Sequence, residues 1–268
     1  MNFWQSFIPS PILFDFGFLT IRWYGFFFAA SFVAGYFVGL KLWQKSGRQI
    51  KDFDKLFFWT LVWGIVGARV LDVFIFEWEY FRNNLVDLFK IWEGGMSIHG
   101  GLIAGAIILW YFSKKFSVKY LILLDILAPA VAIGQAIGRW GNYFNQELFG
   151  KPTDLPWGIY IESARRPVEY VQAELFQPVF LYESLALVII FFVLWWLYKK
   201  NKPAGYVVGS YLLLASVLRF SLEFIRVDQQ LLIYGVRSGL VIAMVFFAVG
   251  GYLLFKIKQP TSSLEQSN

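Results

Sequence analysis

The run Gly138-Arg139-Trp140-Gly141-Asn142-Tyr143-Phe144-Asn145-Gln146-Glu147-Leu148-Phe149-Gly150 follows an apolar stretch from Leu121 to Ile137. It places a guanidinium, several carboxamides and a carboxylate where a membrane helix ends. A charge at the bilayer centre costs roughly 2.5–3.5 kcal/mol on translocon scales, so an intramembrane arginine signals a functional site. Guanidinium matches an oxyanion such as phosphate through two parallel hydrogen bonds. Arg139 is therefore read as an anion-binding and catalytic group. Asn142 either binds substrate or satisfies the open helix end, and Asn145 and Glu147 extend the same polar array.

A second cluster sits further along. Arg219, Glu223 and Arg226 are spaced by four and three, which puts them on one face of a helix. They form either an ion-pair ladder or, because two arginines face one carboxylate, a site with positive charge left for an anion. Arg219 is expected to touch that anion, with Glu223 orienting it. Arg69 and Asp72 lie three apart and are read as a mutually neutralising pair. Asp125 is read as a structural partner or cap, and Glu183 as able to pair with an arginine from another segment. His99, the only histidine, is flanked by Ser97 and Gly100-Gly101. Little bulk surrounds it there, and an imidazole can accept a proton from a thiol. Tyr24 opens the first apolar segment after Trp23, as an interfacial anchor or a substrate contact.

These groups need a scaffold, and the composition says which kind. In 268 residues, 58% are hydrophobic, 21% aromatic and only 16% charged, against about 25% charged in soluble proteins. The expected fold is an all-α polytopic membrane protein. Stretches of about 20 apolar residues give seven candidate spans at roughly 20–42, 56–76, 96–112, 120–140, 179–198, 204–225 and 236–255. Lysine and arginine concentrate in Lys41–Lys55, Lys114–Lys119, Lys199–Lys202 and Lys256–Lys258. The positive-inside rule puts those segments in the cytoplasm, the N-terminus outside and the C-terminus inside. The net charge of +6 is then anchor charge facing anionic membrane lipids, and no nucleic acid is called for.

The chain reads as a single integral membrane domain over 1–268, without internal repeats. Residues 150–178, rich in proline, form a small outward-facing cap. Residues 77–94 mix aromatic and charged side chains and read as one amphipathic helix lying on the outer leaflet. The glycines of the third and fourth spans are expected to face each other around a wet cavity. Residues 1–19 lack a basic leader region and are expected to persist in the mature protein. Residues 259–268 read as a disordered end. With no cysteine and one histidine, a disulfide framework, a thiolate nucleophile and multi-ligand metal or haem sites are excluded, so neither metal nor cofactor is expected.

The Gly-Arg, Gly-Asn, Asn, Glu and Gly pattern of residues 138–150 resembles the signature of the prolipoprotein diacylglyceryl transferases of bacterial inner membranes. The resemblance extends to Trp23-Tyr24-Gly25, to Gly94 through Leu102, to Tyr182-Glu183-Ser184 and to Arg219 through Arg226, and so covers nearly the whole chain. It implies transfer of the diacylglyceryl group of phosphatidylglycerol to the lipobox cysteine of a prolipoprotein signal peptide, forming a thioether and releasing glycerol 1-phosphate. His99, Arg139 and Arg219 would be catalytic. Arg139, Asn142, Tyr24, Glu147, Gly150, Glu223 and Arg226 would hold phosphatidylglycerol. The chain departs from the family at Gln177, where many members have histidine, and at Ala215, where many have tyrosine. A transporter or lipid-moving protein is the alternative, since intramembrane charges and broken helices also suit one, though the lack of a repeat speaks against it. An intramembrane protease fits worse, without a paired aspartate motif or a recognisable serine nucleophile.

Overall fold

A computed structural model describes residues 3–17, 20–90, 94–228, 232–233 and 235–258. The expected disordered tail, and Trp92 and Glu93 of the expected interfacial segment, lie outside these residues. Seven long helices carry the fold: α1 Trp23–Lys45, α2 Ile50–Leu71, α3 Ile98–Lys115, α4 Tyr120–Phe144, α5 Val179–Lys199, α6 Tyr206–Glu223 and α7 Ser238–Lys258. Six of them, all but α3, are long and apolar enough to cross a membrane by length and composition. The helix α3 covers most of the expected span 96–112, but His99, paired glycines and Lys114-Lys115 dilute its hydropathy. Three two-stranded antiparallel ribbons accompany the helices: β1 Ile12–Asp15 with β2 Thr20–Arg22, β3 Ile159–Tyr160 with β4 Leu175–Phe176, and β5 Leu232–Ile233 with β6 Val236–Arg237.

The chain divides into two compact units, Leu40–Leu123 and the remainder, Met1–Gly39 with Leu124–Asn268. In the first of these, Trp43, Phe53, Leu56, Leu109 and Phe112 are buried, and Trp43 packs its ring on Phe53 and on Phe116, which in turn meets Phe112. The helices α2 and α3 touch backbone to backbone. A Cβ on Gly100 would fall 2.1 Å from the Gly67 carbonyl oxygen, and one on Gly67 would fall 2.4 Å from Ala104 Cβ. Small residues allow this approach where lipid offers no hydrophobic drive for association. Beyond α2, residues Asp72–Phe76 make a π-helical turn. The segment expected to be one amphipathic helix is instead a single α-turn, Trp78–Phe81, followed by a 3-10 turn, Leu85–Phe89. The reason is local. Asn83 and Asn84 turn their side-chain amides back to the carbonyls of Glu79 and Tyr80, a competition with the helix ladder that asparagine favours.

In the larger unit, Ala128, Ala132 and Ala136 form a stripe at helical spacing on α4. It packs against Leu187, Ile190 and Leu194 of α5 and Val207, Val208 and Tyr211 of α6. On another face of α4, Gly134 and Gly138 lie against Ser31, and Gly141 lies against Tyr24 of α1. Inside each unit these glycines serve close helix contact, Gly100 and Gly101 of α3 against α2 and Gly134, Gly138 and Gly141 of α4 against α1. The first turn of α6 has no side-chain cap of its own, since Gly205 stands there at φ 93°. Asp125 supplies it from α4, accepting from Gly205 N at 2.7 Å and Val208 N at 2.8 Å, as its reading as a cap required. The segment 150–178 folds around Phe149, Ile159, Ile161 and Phe176, which pack on Tyr143 of α4, Val179 and Phe180 of α5 and Leu222 of α6.

Candidate active site

The end of α4 brings the polar run into one network. Arg139 Nη2 donates to Glu183 Oε1 on α5 at 2.8 Å, and Nη1 reaches Asn142 Oδ1 at a long 3.4 Å. Asn142 Nδ2 in turn donates to Glu147 Oε2 at 3.0 Å, and Asn145 Nδ2 to Glu147 Oε1 at 3.3 Å. The fold returns Glu147 to the helix it has just left by a tight reversal. Its amide donates to Asn142 O at 2.8 Å, and its neighbours Gln146 and Leu148 sit at φ 53° and 57°. Non-glycine residues in the left-handed region carry strain that surrounding contacts must offset. Here Leu148 is buried in the cap core. Gln146 is buried, its amide directed to Pro9 O at 3.4 Å while its carbonyl accepts from Glu162 N at 2.7 Å.

The ion pair of Arg139 leaves both partners incomplete. Arg139 Nε and Glu183 Oε2 are buried atoms with no hydrogen-bond partner among the described residues, while the Arg139 side chain as a whole keeps 29% of its surface exposed. An unmet buried donor costs about 1–3 kcal/mol, more when charged. A guanidinium held in place yet unsaturated is ready for an incoming oxyanion.

The second cluster differs from its sequence reading. The helix α6 ends at Glu223, so Arg226 lies beyond the helix and does not share its face. It pairs instead with Asp228, Nε to Oδ1 at 2.9 Å and Nη2 to Oδ2 at 2.5 Å. Glu223 is reached by Arg219 at 3.6 Å and by Arg237 at 3.0 Å. The ribbon β5–β6 folds Arg237 back onto the end of α6, where it also donates to Arg226 O at 3.0 Å. No local spacing in the sequence marks Arg237 for this role. Among the described residues of this cluster, the three guanidinium groups of Arg219, Arg226 and Arg237 meet the two carboxylates of Glu223 and Asp228, with different partners from those expected. Glu223, Arg226 and Arg237, with Lys151, Phe224 and Tyr170, line an open cavity of about 810 Å³. Gly239, at the start of α7, makes room for Arg219. A Cβ there would fall 2.3 Å from Nη2.

Gly150 is buried where these elements meet. Its amide donates to Gln177 O at 2.8 Å, it bridges to Arg226, and a Cβ would come within 2.9 Å of Ile225 O. Gln177 joins this knot through its backbone, so the departure from histidine there leaves the knot intact. Ala215 packs against the α4–α5–α6 core, and Tyr211, one turn earlier on α6, donates to Gln135 Oε1 at 2.8 Å. Tyr24 is exposed at the start of α1, beside Gly141, next to a Trp23–Phe144 ring stack with centroids 4.3 Å apart.

His99 belongs to the smaller unit. It is the second residue of α3 and is exposed. Arg69 and Asp72 do not form the expected pair. Arg69 donates instead to the carbonyls of Leu88, Gly94, Gly95 and Asp87, because the chain returns past it with those groups turned inward. Asp72 Oδ2 has no hydrogen-bond partner among the described residues.

Comparison with known proteins decides what this architecture belongs to. The model of the prolipoprotein diacylglyceryl transferases matches residues 11–256. The chain belongs to this family. It is 39% identical over 272 residues to the phosphatidylglycerol–prolipoprotein diacylglyceryl transferase of Parasynechococcus marenigrum, covering 97% of this chain and 98% of that one. The like-named protein of Synechocystis sp. is 40% identical over 84% of this chain and 81% of its own. That of Thermotoga petrophila is 38% identical over 93% and 86%. Family membership makes the chain a transferase embedded in a membrane, and the transporter reading finds no support.

Proposed function

We propose that the protein transfers the diacylglyceryl group of phosphatidylglycerol to the lipobox cysteine of a prolipoprotein, the first step of lipoprotein maturation. The observation that carries this is Arg139, held by Glu183 and Asn142 with Nε buried and unmet. Such a group suits the phosphate of a lipid whose ester oxygen must leave. The thiol sulfur attacks the diacylglyceryl carbon next to the phosphate, a thioether bond forms, and the carbon–oxygen bond breaks. The electron pair leaves on the phosphate oxygen of glycerol 1-phosphate. Arg139 and Arg219 hold and neutralise that phosphate as fixed positive charge, which is worth most where water is excluded. Glu223 and Arg226 maintain the second cluster, Asn142 and Glu147 orient Arg139, Tyr24 flanks the lipid, and Gly150 keeps the two clusters joined. His99 takes the thiol proton and returns it to the leaving phosphate.

The reading also places the protein in the bacterial inner membrane, with the N-terminus outside, the C-terminus cytoplasmic and the cap facing out. That orientation requires α3 to cross alongside the six more apolar helices. Cysteines introduced at positions 154 and 165 should label from outside, and those at 48 and 200 only from inside; labelling of both sets from one side would reverse it. The chemistry is tested by incubating the purified protein with labelled phosphatidylglycerol and a lipobox peptide. Mass spectrometry should find a thioether-linked product, and its absence under conditions that keep the protein folded would defeat the proposal.

A further inference from the structure

We infer that Arg69 is a positioning residue for the reaction, acting through His99. The inference rests on the reading of His99 as the base. The His99 imidazole makes no hydrogen bond to a described residue and stands exposed at the start of α3. Its location is therefore set by the backbone beneath it. That backbone is fastened to α2 at three successive levels. Arg69 Nη1 donates to Gly94 O at 2.8 Å and Gly95 O at 2.7 Å. Ser97 N donates to Ala68 O at 3.0 Å. Gly100 then rests on the Gly67 carbonyl.

The chemistry suits only arginine. Its planar fork offers five donors in fixed directions, whereas an ammonium offers three around a point. Besides the two glycine carbonyls, Nε donates to Leu88 O at 3.1 Å, Nη2 donates to Asp87 O, and the guanidinium lies over the Phe81 ring at 4.7 Å. One buried side chain thus ties residues 87–88 to residues 94–95. Gly94 and Gly95 adopt φ of 106° and 69°, and a Cβ on Gly95 would fall 2.6 Å from Arg69 Nη1. The glycines are there because two successive carbonyls must turn toward one cation. Tyr80 and Lys90 brace the arm by bonding the Asp87 carboxylate. These bonds, that of Lys90 foremost, hold Asp87 below the usual carboxylate range.

The test is a double-mutant cycle on the full-length enzyme. Arg69→Lys should lower kcat roughly 10- to 100-fold, the scale of a small misplacement of a catalytic group, while KM for lipid and peptide holds. Combined with His99→Asn, it should cause no further loss, because a positioning residue has nothing left to position. Hydrogen exchange should rise at the amides of residues 95–101 and stay unchanged in the larger unit. Gly95→Ala, which crowds the same fork, should reproduce the pattern if Arg69→Lys folds poorly. Additive losses, or unchanged exchange, would overturn the inference. Wild-type rates in His99→Asn alone would remove the base and this role with it. Absence of product from the unaltered enzyme would instead strike the transferase reading, and the exchange result would still decide whether the clamp holds.

Discussion

A buried arginine, Arg69, and a half-buried one, Arg139, are treated in opposite ways. Arg69 meets four backbone carbonyls and no anion is left for it to want. Arg139 meets one carboxylate at full strength and one amide weakly, and keeps a buried Nε unmet. Neutral carbonyls satisfy donors without cancelling charge, so Arg69 suits the fixing of backbone. A carboxylate cancels charge while leaving donors open, so Arg139 suits an exchangeable ligand. Saturation, more than burial, separates Arg69, which fastens backbone, from Arg139, which we propose to bind phosphate.

The sharpest way to break this contrast is Arg139→Lys. Loss of the fork should cost roughly 10²–10³-fold in the transfer rate, the scale for one oxyanion donor, with a normal thermal transition. Full activity in this variant would reduce Arg139 to bulk charge. His99→Asn tests the proton's route, with a deficit of roughly 10²–10⁴-fold at neutral pH. Because the base is needed only while the thiol keeps its proton, that deficit should shrink as pH approaches about 8.5, the ordinary thiol pKa. A deficit that stays constant with pH would assign His99 to the fold.

Smaller effects refine the picture. Gly239→Ala should displace the Arg219 guanidinium and raise KM for phosphatidylglycerol by about 10-fold, equivalent to roughly 1.4 kcal/mol, with less change in kcat. An unaltered KM would take Arg219 out of lipid binding. Asp125→Ala should remove about 0.5–2 kcal/mol of stability by uncapping α6, seen as a lower unfolding temperature with unchanged activity per folded molecule. A loss of specific activity there would mean that the cap reaches the chemistry.

Six of the seven expected spans were legible from their apolar length, and the polar run at 138–150 and the second arginine cluster because charge among apolar residues is conspicuous. Glu183 was readable as a partner for some arginine, and the fold supplies Arg139. What stayed hidden has physical causes. Backbone acceptors leave no mark on residue type, so Arg69 looked like half of an ion pair with Asp72. The ladder of Arg219, Glu223 and Arg226 presumed a helix running through Arg226, whereas α6 stops at Glu223, and Arg237 arrives only through the β5–β6 reversal. Glycine at membrane depth reads equally as cavity or contact, and here Gly67, Gly100, Gly134 and Gly141 take the second course.

Gln146 ties three stretches together with one side chain, touching Pro9, the cap at Glu162 and, through its own left-handed backbone, the turn that carries Glu147. A rigid amide shared in this way makes their motions interdependent. If the cap lifts on the microsecond-to-millisecond scale of such segments, either the N-terminal segment travels with it or both bonds break together. Breathing of the cap and the poise of the Glu147 carboxylate are then one coordinate, and the frequency of one sets the frequency of the other.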